Sequence, residues 1–344
     1  MIHIDGSEHS GSGTIVRSAV SLATLLKEEL YIENIRAKRD KPGLRAQHLE
    51  AVKACAEVCD GKLEGAKIGS REILFKPGNR LKGGYYERDI GTAGSTTMLA
   101  SSVLPLACFT DKQLKFKITG GLFQDFAPSA YHMKYVLFPT LKKMGLYADL
   151  EIERPGYVPK GNGIIKVSAE PVKKLKPLKL TEQGNLVKIE GIALASHLKE
   201  RKVSERMAKE CRSILKPTSD AKIETLYDTT AIQPGATLAL YAKTSTGCII
   251  GSDRAGEPRR TAEAIGKYVA ENLLEDLKTK ATVDRYLADQ LIIYCALADG
   301  RSEYRVPKIT EHVDTLLWLV EKILGVKTEV KNNYIKIDGI GYER

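Results

Sequence analysis

The apolar positions near the C-terminus recur at intervals of three and four residues, the pattern of an amphipathic helix. These positions are Leu316, Leu317, Val320, Ile323 and Leu324. The helix is predicted to end at Gly325 and to carry His312 in its first turn. The first turn of a helix has unpaired N–H groups and a partial positive charge, which disfavour imidazolium and attract phosphate.

A neutral imidazole beside an anion site is what transfer of a phosphoryl or nucleotidyl group to histidine requires. A lone histidine in a first turn is more often structural or solvated. His312 gains interest because the same unit occurs three times. His48, His132 and His312 each begin a predicted helix, and a glycine follows 13 residues after each histidine. These glycines are Gly61, Gly145 and Gly325.

Each of these helices follows an apolar helix and a strand, and each precedes short extended runs. The pattern predicts a mixed α/β (α+β) fold of three repeated α/β units with pseudo-threefold packing. Residues 178–279 interrupt it with four strands and two helices, which predicts a smaller inserted α/β domain. Residues 1–177 and 280–344 would then form the main catalytic domain, and 344 residues accommodate two domains.

Charge and composition narrow the classes of protein. The net charge of +10 favours a polyanionic partner, and 43% hydrophobic with 28% charged residues excludes a disordered chain. No uninterrupted apolar run is long enough to cross a bilayer, and the first ten residues lack a signal-peptide pattern. Six cysteines without a CxxC pair are read as reduced thiols, so a cytoplasmic protein with no membrane partner is expected.

Two segments could bind phosphate. The first is the glycine- and serine-rich turn at residues 6–14, which matches neither the Walker nor the dinucleotide spacing, so a plain turn is an equal reading. Arg17, one helical turn further on, is either a surface residue or an anion clamp. The second is the basic loop at residues 36–45, fixed by Pro42-Gly43 before a helix, which we interpret as a phosphate site for RNA or a nucleotide. Its basic residues are Arg36, Lys38, Arg39, Lys41 and Arg45.

A third cluster lies in the segment TVDRYLADQLIIYCALADG. Tyr286, Asp289 and Gln290 are predicted to occupy adjacent turns of one helix. An aromatic ring with a carboxylate and an amide could hold a purine and its ribose, or a metal ion. The alternative is an amphipathic helix with a polar outer face.

Several motifs in this order resemble the RNA 3'-terminal phosphate cyclase family. They are IRAKRDKPGLRAQHL, IGTAGSTT with VLPL, the Gly-Gly pair at 120 with Ala-Pro at 127, YLADQL, and Glu-His before an apolar helix. The resemblance covers essentially the whole chain, and PGLRAQH with YLADQ is a specific combination. The family's three repeated α/β units and smaller inserted domain match the pattern above.

The resemblance implies an ATP-dependent reaction that converts an RNA 3'-terminal phosphate to a 2',3'-cyclic phosphate through histidyl-AMP. His312 would be the nucleophile, with a divalent metal, Mg²⁺ or Mn²⁺, as cofactor and RNA 3' ends as partner. His48 and His132 become its repeat-related, structural counterparts. The residues implied for the adenylate pocket are Tyr286 with Pro128 as the opposite wall, Asp289 and Gln290. Those implied for the RNA end and its phosphate are Arg17, Arg36, Arg39 and Gln47.

The chain departs from the family at several positions. Ser10 stands where the family has a metal-associated glutamate, so the metal ligand is unknown, and Glu8 or Asp5 is a candidate substitute. The remaining departures are Thr14 for glutamine, Leu122-Phe123 for Thr-Asp, Ser101 for glutamine, and Asn162 for the middle glycine of a GGG turn.

These departures leave a second hypothesis open: a catalytically silent, cyclase-like RNA-binding protein acting in ribosomal RNA maturation. Retention of His312 and of the predicted adenylate pocket argues against it. A small-molecule transferase on a related repeated fold is a third class, and it would lack the PGLRAQH and YLADQ pair.

Overall fold

Four small mixed sheets form the framework of the computed structural model, which describes residues 1–343. The first sheet and its helices comprise β1 (Ile2–Asp5), α1 (Gly13–Leu26), β2 (Leu30–Glu33), α2 (Ala46–Val58), β3 (Lys62–Glu64) and β4 (Ile73–Lys76). The second comprises β5 (Gly84–Asp89), α3 (Thr96–Ala107), β6 (Leu114–Gly120), α4 (Ala130–His132), a π-helical segment (Met133–Leu137), α5 (Phe138–Lys143), β7 (Ala148–Arg154) and β8 (Gly163–Ala169).

The chain then forms β9 (Lys179–Leu180) and enters the fourth sheet before it returns to complete the third. The fourth sheet and its helices comprise β10 (Leu186–Ser196), α6 (Val203–Leu215), β11 (Ala221–Asp228), β12 (Gly235–Thr244), β13 (Ile249–Ala255) and α7 (Ala262–Lys278). The third is completed by α8 (Leu287–Gln290), α9 (Ile292–Leu297), β14 (Arg301–Arg305), α10 (Glu311–Leu324), β15 (Lys327–Lys331) and β16 (Tyr334–Asp338).

Three of the sheets share one strand order. The orders are β1-β2-β4-β3, β5-β6-β8-β7 and β9-β14-β16-β15. In each sheet the first pair is parallel and the other two pairs are antiparallel. As a result, the helices that carry His48, His132 and His312 each follow the second strand of their sheet.

The fourth sheet, in the order β11-β10-β12-β13, separates two apolar clusters. Along β10, Ile189, Ala193 and Ala195 pack with the apolar sides of α6 and α7, whereas Ile192 and Leu194 belong to the large core shared with the other sheets. This alternation is the period of two expected for a strand buried on both faces. Lys179–Leu180, assigned from the sequence to the inserted domain, pairs instead with β14 in the third sheet.

The helix ends follow from local capping. Thr310 caps α10 by accepting the Val313 N–H, and Gly325 adopts the left-handed conformation at its C-terminus, as predicted. The predicted stop of α2 at Gly61 is displaced, because α2 ends at Val58 and Asp60 takes the left-handed conformation instead. Asp289 and Gln290, predicted to share one helix with Tyr286, lie in the short helix α8, and Tyr286 is the residue that precedes it. Within residues 1–343, none of the helices combines the length and apolarity needed to span a bilayer.

Candidate active site

A cleft of about 380 Å³ brings together most of the residues proposed from the sequence. The predicted residues that line it are Arg17, Pro128, Tyr286, Asp289, Gln290 and His312. Arg36, Arg39 and Gln47 are not among the lining residues of the described chain. The adenylate-pocket candidates and the candidate nucleophile therefore share one cavity, and the basic loop lies outside it.

His312 is half-buried at the second position of α10. Its Nδ1 lies 3.3 Å from the Thr14 hydroxyl oxygen, and Thr14 is the second residue of α1. Two helix N-termini, each with a partial positive charge, therefore meet at His312. Its Nε2 has no hydrogen-bond partner among residues 1–343, which leaves that nitrogen free to react.

The surroundings of His312 keep its imidazole neutral. Burial lowers its pKa below the ordinary value of 6.5, and the positive charges of Arg17 and Arg39 lower it further. A neutral imidazole has the lone pair that a nucleophile needs. Arg39 thus acts on His312 electrostatically although it does not line the cleft.

Arg17 is a buried cation with no carboxylate within ion-pair distance in the described part of the chain. Its Nη2 donates to the Met98 sulfur at 3.5 Å. Burial lowers its pKa to about 10, while the Asp289 carboxylate opposes that shift and Arg36 adds to it. A buried guanidinium without a paired carboxylate is suited to bind an anionic ligand.

The basic loop is braced by its own side chains. Arg36 adopts a left-handed backbone (φ 55°) and donates through Nη1 to the carbonyl oxygens of Lys41 and Gly43. Lys38 donates to the carbonyl of His9, which ties the loop to the N-terminal turn. Arg39 is exposed and forms no ion pair among residues 1–343, so its guanidinium is open to solvent.

Gln47, the second residue of α2, contacts the turn before α3. Its Oε1 accepts the backbone N–H of Ser95 at 2.8 Å. Ser95 in turn caps α3 through the Met98 N–H. The amide oxygen of Gln47 is therefore occupied in fixing this turn, and only its Nε2 remains for a ligand.

The three cleft residues proposed for the adenylate pocket, Tyr286, Asp289 and Gln290, have distinct environments. Tyr286 is half-buried, and Gln290 donates to its carbonyl oxygen at 2.7 Å. The Oε1 of Gln290 is buried without a hydrogen-bond partner in residues 1–343, so it is available to a donor on a ligand. Burial raises the pKa of Asp289 to about 7, partly offset by hydrogen bonds to backbone N–H groups and by the charge of Arg17.

His48 and His132, whose helices also follow the second strand of their sheet, are buried. His48 accepts the Arg45 N–H through Nδ1, and burial with three neighbouring arginines lowers its pKa to about 2. His132 lies 3.1 Å from the Asp284 carboxylate. Neither lines the cleft in the described chain, so of the three only His312 reaches it.

Sequence reasoning missed two features of the site. Asp284 anchors the start of α8 by accepting the N–H groups of Tyr286 and Leu287, each at 2.8 Å. Asp253 and Arg254, from β13 of the fourth sheet, line the same cleft as Tyr286 and His312. A capping aspartate two residues before Tyr286 could have been recognised, whereas nothing in the sequence indicated that β13 reaches the cleft.

The N-terminal turn does not fit a protein-bound divalent ion. Ser10 is buried with its Oγ 3.0 Å from that of Ser12. Of the candidate substitutes, Asp5 accepts from Ser7 and Asn34, and Glu8 is exposed. Residues 1–343 contain no group of three or more His, Cys, Asp or Glu side chains that could hold a metal ion.

The fold and the cleft define a mixed α/β protein with a neutral histidine among arginines at two converging helix N-termini, a class suited to bind phosphorylated ligands. A family model described as RNA 3'-terminal phosphate cyclase matches residues 8–330. The chain belongs to the RNA 3'-terminal phosphate cyclase family, which confirms the resemblance seen in its motifs.

Three relatives, each named RNA 3'-terminal phosphate cyclase, match the chain over nearly its full length. That of Pyrobaculum aerophilum is 38% identical over 348 residues, covering 100% of this chain and 99% of the relative. That of Methanopyrus kandleri is 39% identical over 337 residues, covering 96% and 95%. That of Pyrococcus furiosus is 38% identical over 335 residues, covering 96% and 95%.

Proposed function

We propose that this protein is an ATP-dependent RNA 3'-terminal phosphate cyclase that acts through a histidyl-AMP intermediate on His312. The observation that carries the proposal is the neutral imidazole of His312, with Nδ1 held by Thr14 and Nε2 free in a cleft that also contains Arg17. The family of the chain and the names of its relatives support the same activity.

The reaction has three steps. Nε2 of His312 attacks the α-phosphorus of ATP, a nitrogen–phosphorus bond forms, and pyrophosphate leaves. An oxygen of the RNA 3'-phosphate then attacks the same phosphorus, which transfers AMP to the RNA and frees His312. Finally the neighbouring 2'-hydroxyl attacks the 3'-phosphate, loses its proton and displaces AMP. Adenylation is needed because a phosphate monoester has no good leaving group until it becomes an anhydride.

The cleft supplies the groups for the first step. Tyr286 and Pro128 would face the two sides of the adenine ring, and the unpartnered Oε1 of Gln290 would accept from the nucleoside. Asp289 would serve the same pocket, whereas Arg17 would contact the RNA 3'-phosphate as it attacks the adenylate. Arg36, Arg39 and the free Nε2 of Gln47 would serve the RNA end.

Three wider points belong to the proposal. The three sheets of equal strand order are repeats packed with pseudo-threefold symmetry, and the inserted domain begins after β9 and ends near residue 279. A divalent ion, Mg²⁺ or Mn²⁺, would enter with ATP and would neutralise part of the charge on its phosphates. The protein is cytoplasmic, in keeping with six free, buried cysteines in the described chain.

The test is incubation with α-labelled ATP and Mg²⁺ or Mn²⁺, with and without an RNA that ends in a 3'-phosphate. We expect acid-labile label on the protein without RNA, and AMP release with conversion of the RNA end to a cyclic phosphate when it is present. An RNA ending in a 3'-hydroxyl is the control and should remain unchanged. Absence of label over several metals and temperatures, with RNA still bound, would favour the catalytically silent relative.

Arg39→Ala should impair use of the RNA substrate more than reaction with ATP. Loss of a charge-assisted contact is expected to weaken use of the RNA 3'-phosphate about 10-fold or more, while adenylation persists above neutral pH. The charge of Arg39 lowers the pKa of His312, so its removal should raise that pKa. Because the nucleophile must be neutral, the acidic limb of the adenylation pH profile should move to higher pH.

Lys41→Ala is the matched control for Arg39→Ala. Lys41 is an exposed cation of the same loop, and within residues 1–343 only its carbonyl oxygen has a hydrogen-bond partner, the Arg36 guanidinium. Its removal should leave the acidic limb in place. If Arg39→Ala instead lost adenylation and RNA use equally at every pH, Arg39 would be a residue of the nucleotide pocket and not of the RNA site.

A further inference from the structure

One phenylalanine departs from the pattern of the other five. Phe126 is fully exposed, at 102% of its reference surface. The remaining phenylalanines are Phe75, Phe109, Phe116, Phe123 and Phe138, none more than 4% exposed. Full exposure of a large apolar ring has an unfavourable hydration free energy. Its position is informative because it lies on the lip of the cleft that contains His312 and Tyr286.

The backbone holds Phe126 in this position against its own preference. Its φ is +67°, a left-handed conformation that is unusual for a bulky residue. On one side, the neighbouring Asp125 forms ion pairs with Arg254 at 3.0 Å and Arg260 at 2.8 Å. On the other, the Pro128 carbonyl oxygen accepts the Thr97 hydroxyl at 2.7 Å. Such conformations persist where flanking contacts over-determine them, and they concentrate at functional sites.

Full exposure of this ring at the cleft suits contact with a ligand that extends out of the cleft. A ring inside the adenine pocket would be partly covered by protein, as Tyr286 and Pro128 are, whereas Phe126 is entirely uncovered. An RNA chain whose 3'-phosphate lies in the cleft must extend out of it, so it needs contacts at the cleft rim. Proteins that hold single-stranded RNA combine positive side chains for the backbone with exposed aromatic rings on which bases stack. Here the positive side chains are Arg17, Arg36 and Arg39.

We propose that Phe126 forms a stacking subsite for the 3'-terminal nucleobase of the RNA whose phosphate is activated at His312. This subsite rests on the proposed function and adds to it a contact with the base. Because a ring contacts any base through its face, the subsite favours a terminal nucleoside without selecting its sequence.

The first test is steady-state kinetics of Phe126→Ala with an oligoribonucleotide ending in a 3'-phosphate. KM for the RNA should rise about 10-fold, the usual scale for one base stack, with kcat and the ATP dependence of self-adenylation unchanged. Phe126→Trp should restore the low KM. Tyr147→Ala removes an aromatic ring that is 58% exposed but outside the cleft lining of the described chain, and it should leave KM unaltered. Because the Phe126 ring is uncovered, neither Phe126→Ala nor Phe126→Trp should lower Tm.

The second test asks whether the missing contact is with the base. An RNA whose last nucleotide is abasic, but still carries the 3'-phosphate, should raise KM in the wild type by the same factor. It should raise KM no further in Phe126→Ala, because the contact is already gone. Additive losses, or an unchanged KM in Phe126→Ala, would overturn the subsite.

Two further outcomes distinguish failure of the stacking subsite from failure of the proposed function. A rise in KM for ATP rather than RNA in Phe126→Ala would make Phe126 part of the adenine pocket and refute its contact with RNA. Absence of labelled wild-type protein in the α-labelled ATP assay would refute the proposed function and, with it, the subsite.

Discussion

His312→Ala should carry no AMP after incubation with labelled ATP, a loss on the order of 10⁴-fold or more for removal of a covalent nucleophile. The reason is geometric as well as chemical. The histidines on the corresponding helices of the other sheets are buried: His48 is bound to the Arg45 N–H and His132 to Asp284. Neither can replace His312, so no residual histidine chemistry is expected. The measurement is acid-labile label on the purified variant.

His9→Ala is the matched control for His312→Ala. His9 also packs on α10, with its ring 4.7 Å from that of Trp318 and its Nδ1 2.6 Å from Asp314. Its removal alters the packing of the N-terminal turn but leaves the nucleophile, and label should persist. Full labelling of His312→Ala would place the covalent bond on another residue and refute the proposed intermediate.

The elements near His312 could be predicted from the sequence because their signals are local. The three- and four-residue spacing of leucines defines α10, and Thr310 and Gly325 set its ends through contacts within a few residues. The stop at Gly61 was wrong because Asp60 adopts the left-handed conformation, which aspartate tolerates better than most residues. The pairing of β9 with β14 could not be predicted, because two residues have no periodicity and their partners lie more than 120 residues away in the chain.

The candidate site likewise has parts that could be predicted from local sequence and parts that could not. Membership of Tyr286, Asp289 and Gln290 in one short segment could be predicted, and the motifs led to His312. The hydrogen bonds that hold Tyr286 and its neighbours in place could not be predicted, because they join distant parts of the chain. His132 and Asp284, for example, are separated by 152 residues. The brace formed by Arg36 depends on a left-handed backbone that the charge pattern of the loop does not show.

Asp284 joins three parts of the molecule beneath Tyr286. Its carboxylate accepts the N–H of Gly251 from β13 at 2.8 Å and those of Tyr286 and Leu287 at the start of α8. The same carboxylate pairs with His132, and both side chains are buried. The tyrosine proposed to stack on adenine thus depends on this carboxylate for its position.

Asp284→Ala should lower the free energy of unfolding by about 3–5 kcal/mol, because it leaves a buried partner uncompensated. Asp284→Asn keeps the shape and one acceptor oxygen, so its loss should be smaller, and it allows the ATP site to be tested in folded protein. Displacement of Tyr286 should raise KM for ATP in that variant. Urea unfolding of the wild type and both variants, with ATP titration of the adenylation rate, measures the two effects.

The pH dependence distinguishes this pair from an ordinary packing contact. Although burial opposes ionisation, His132 and two backbone N–H groups lower the pKa of Asp284 below its ordinary 3.8, so its contribution is present above about pH 4 and is lost as pH falls. Burial alone would lower the pKa of His132, but Asp284, with Asp253 and Asp289, raises it above 6.5. Its contribution is therefore complete below pH 6.5 and is lost as pH rises through the higher folded-state pKa. The stability difference between the wild type and Asp284→Ala should be largest between about pH 4 and 6.5. A difference that is constant from pH 4 to 9 would show that the pair is not ionised.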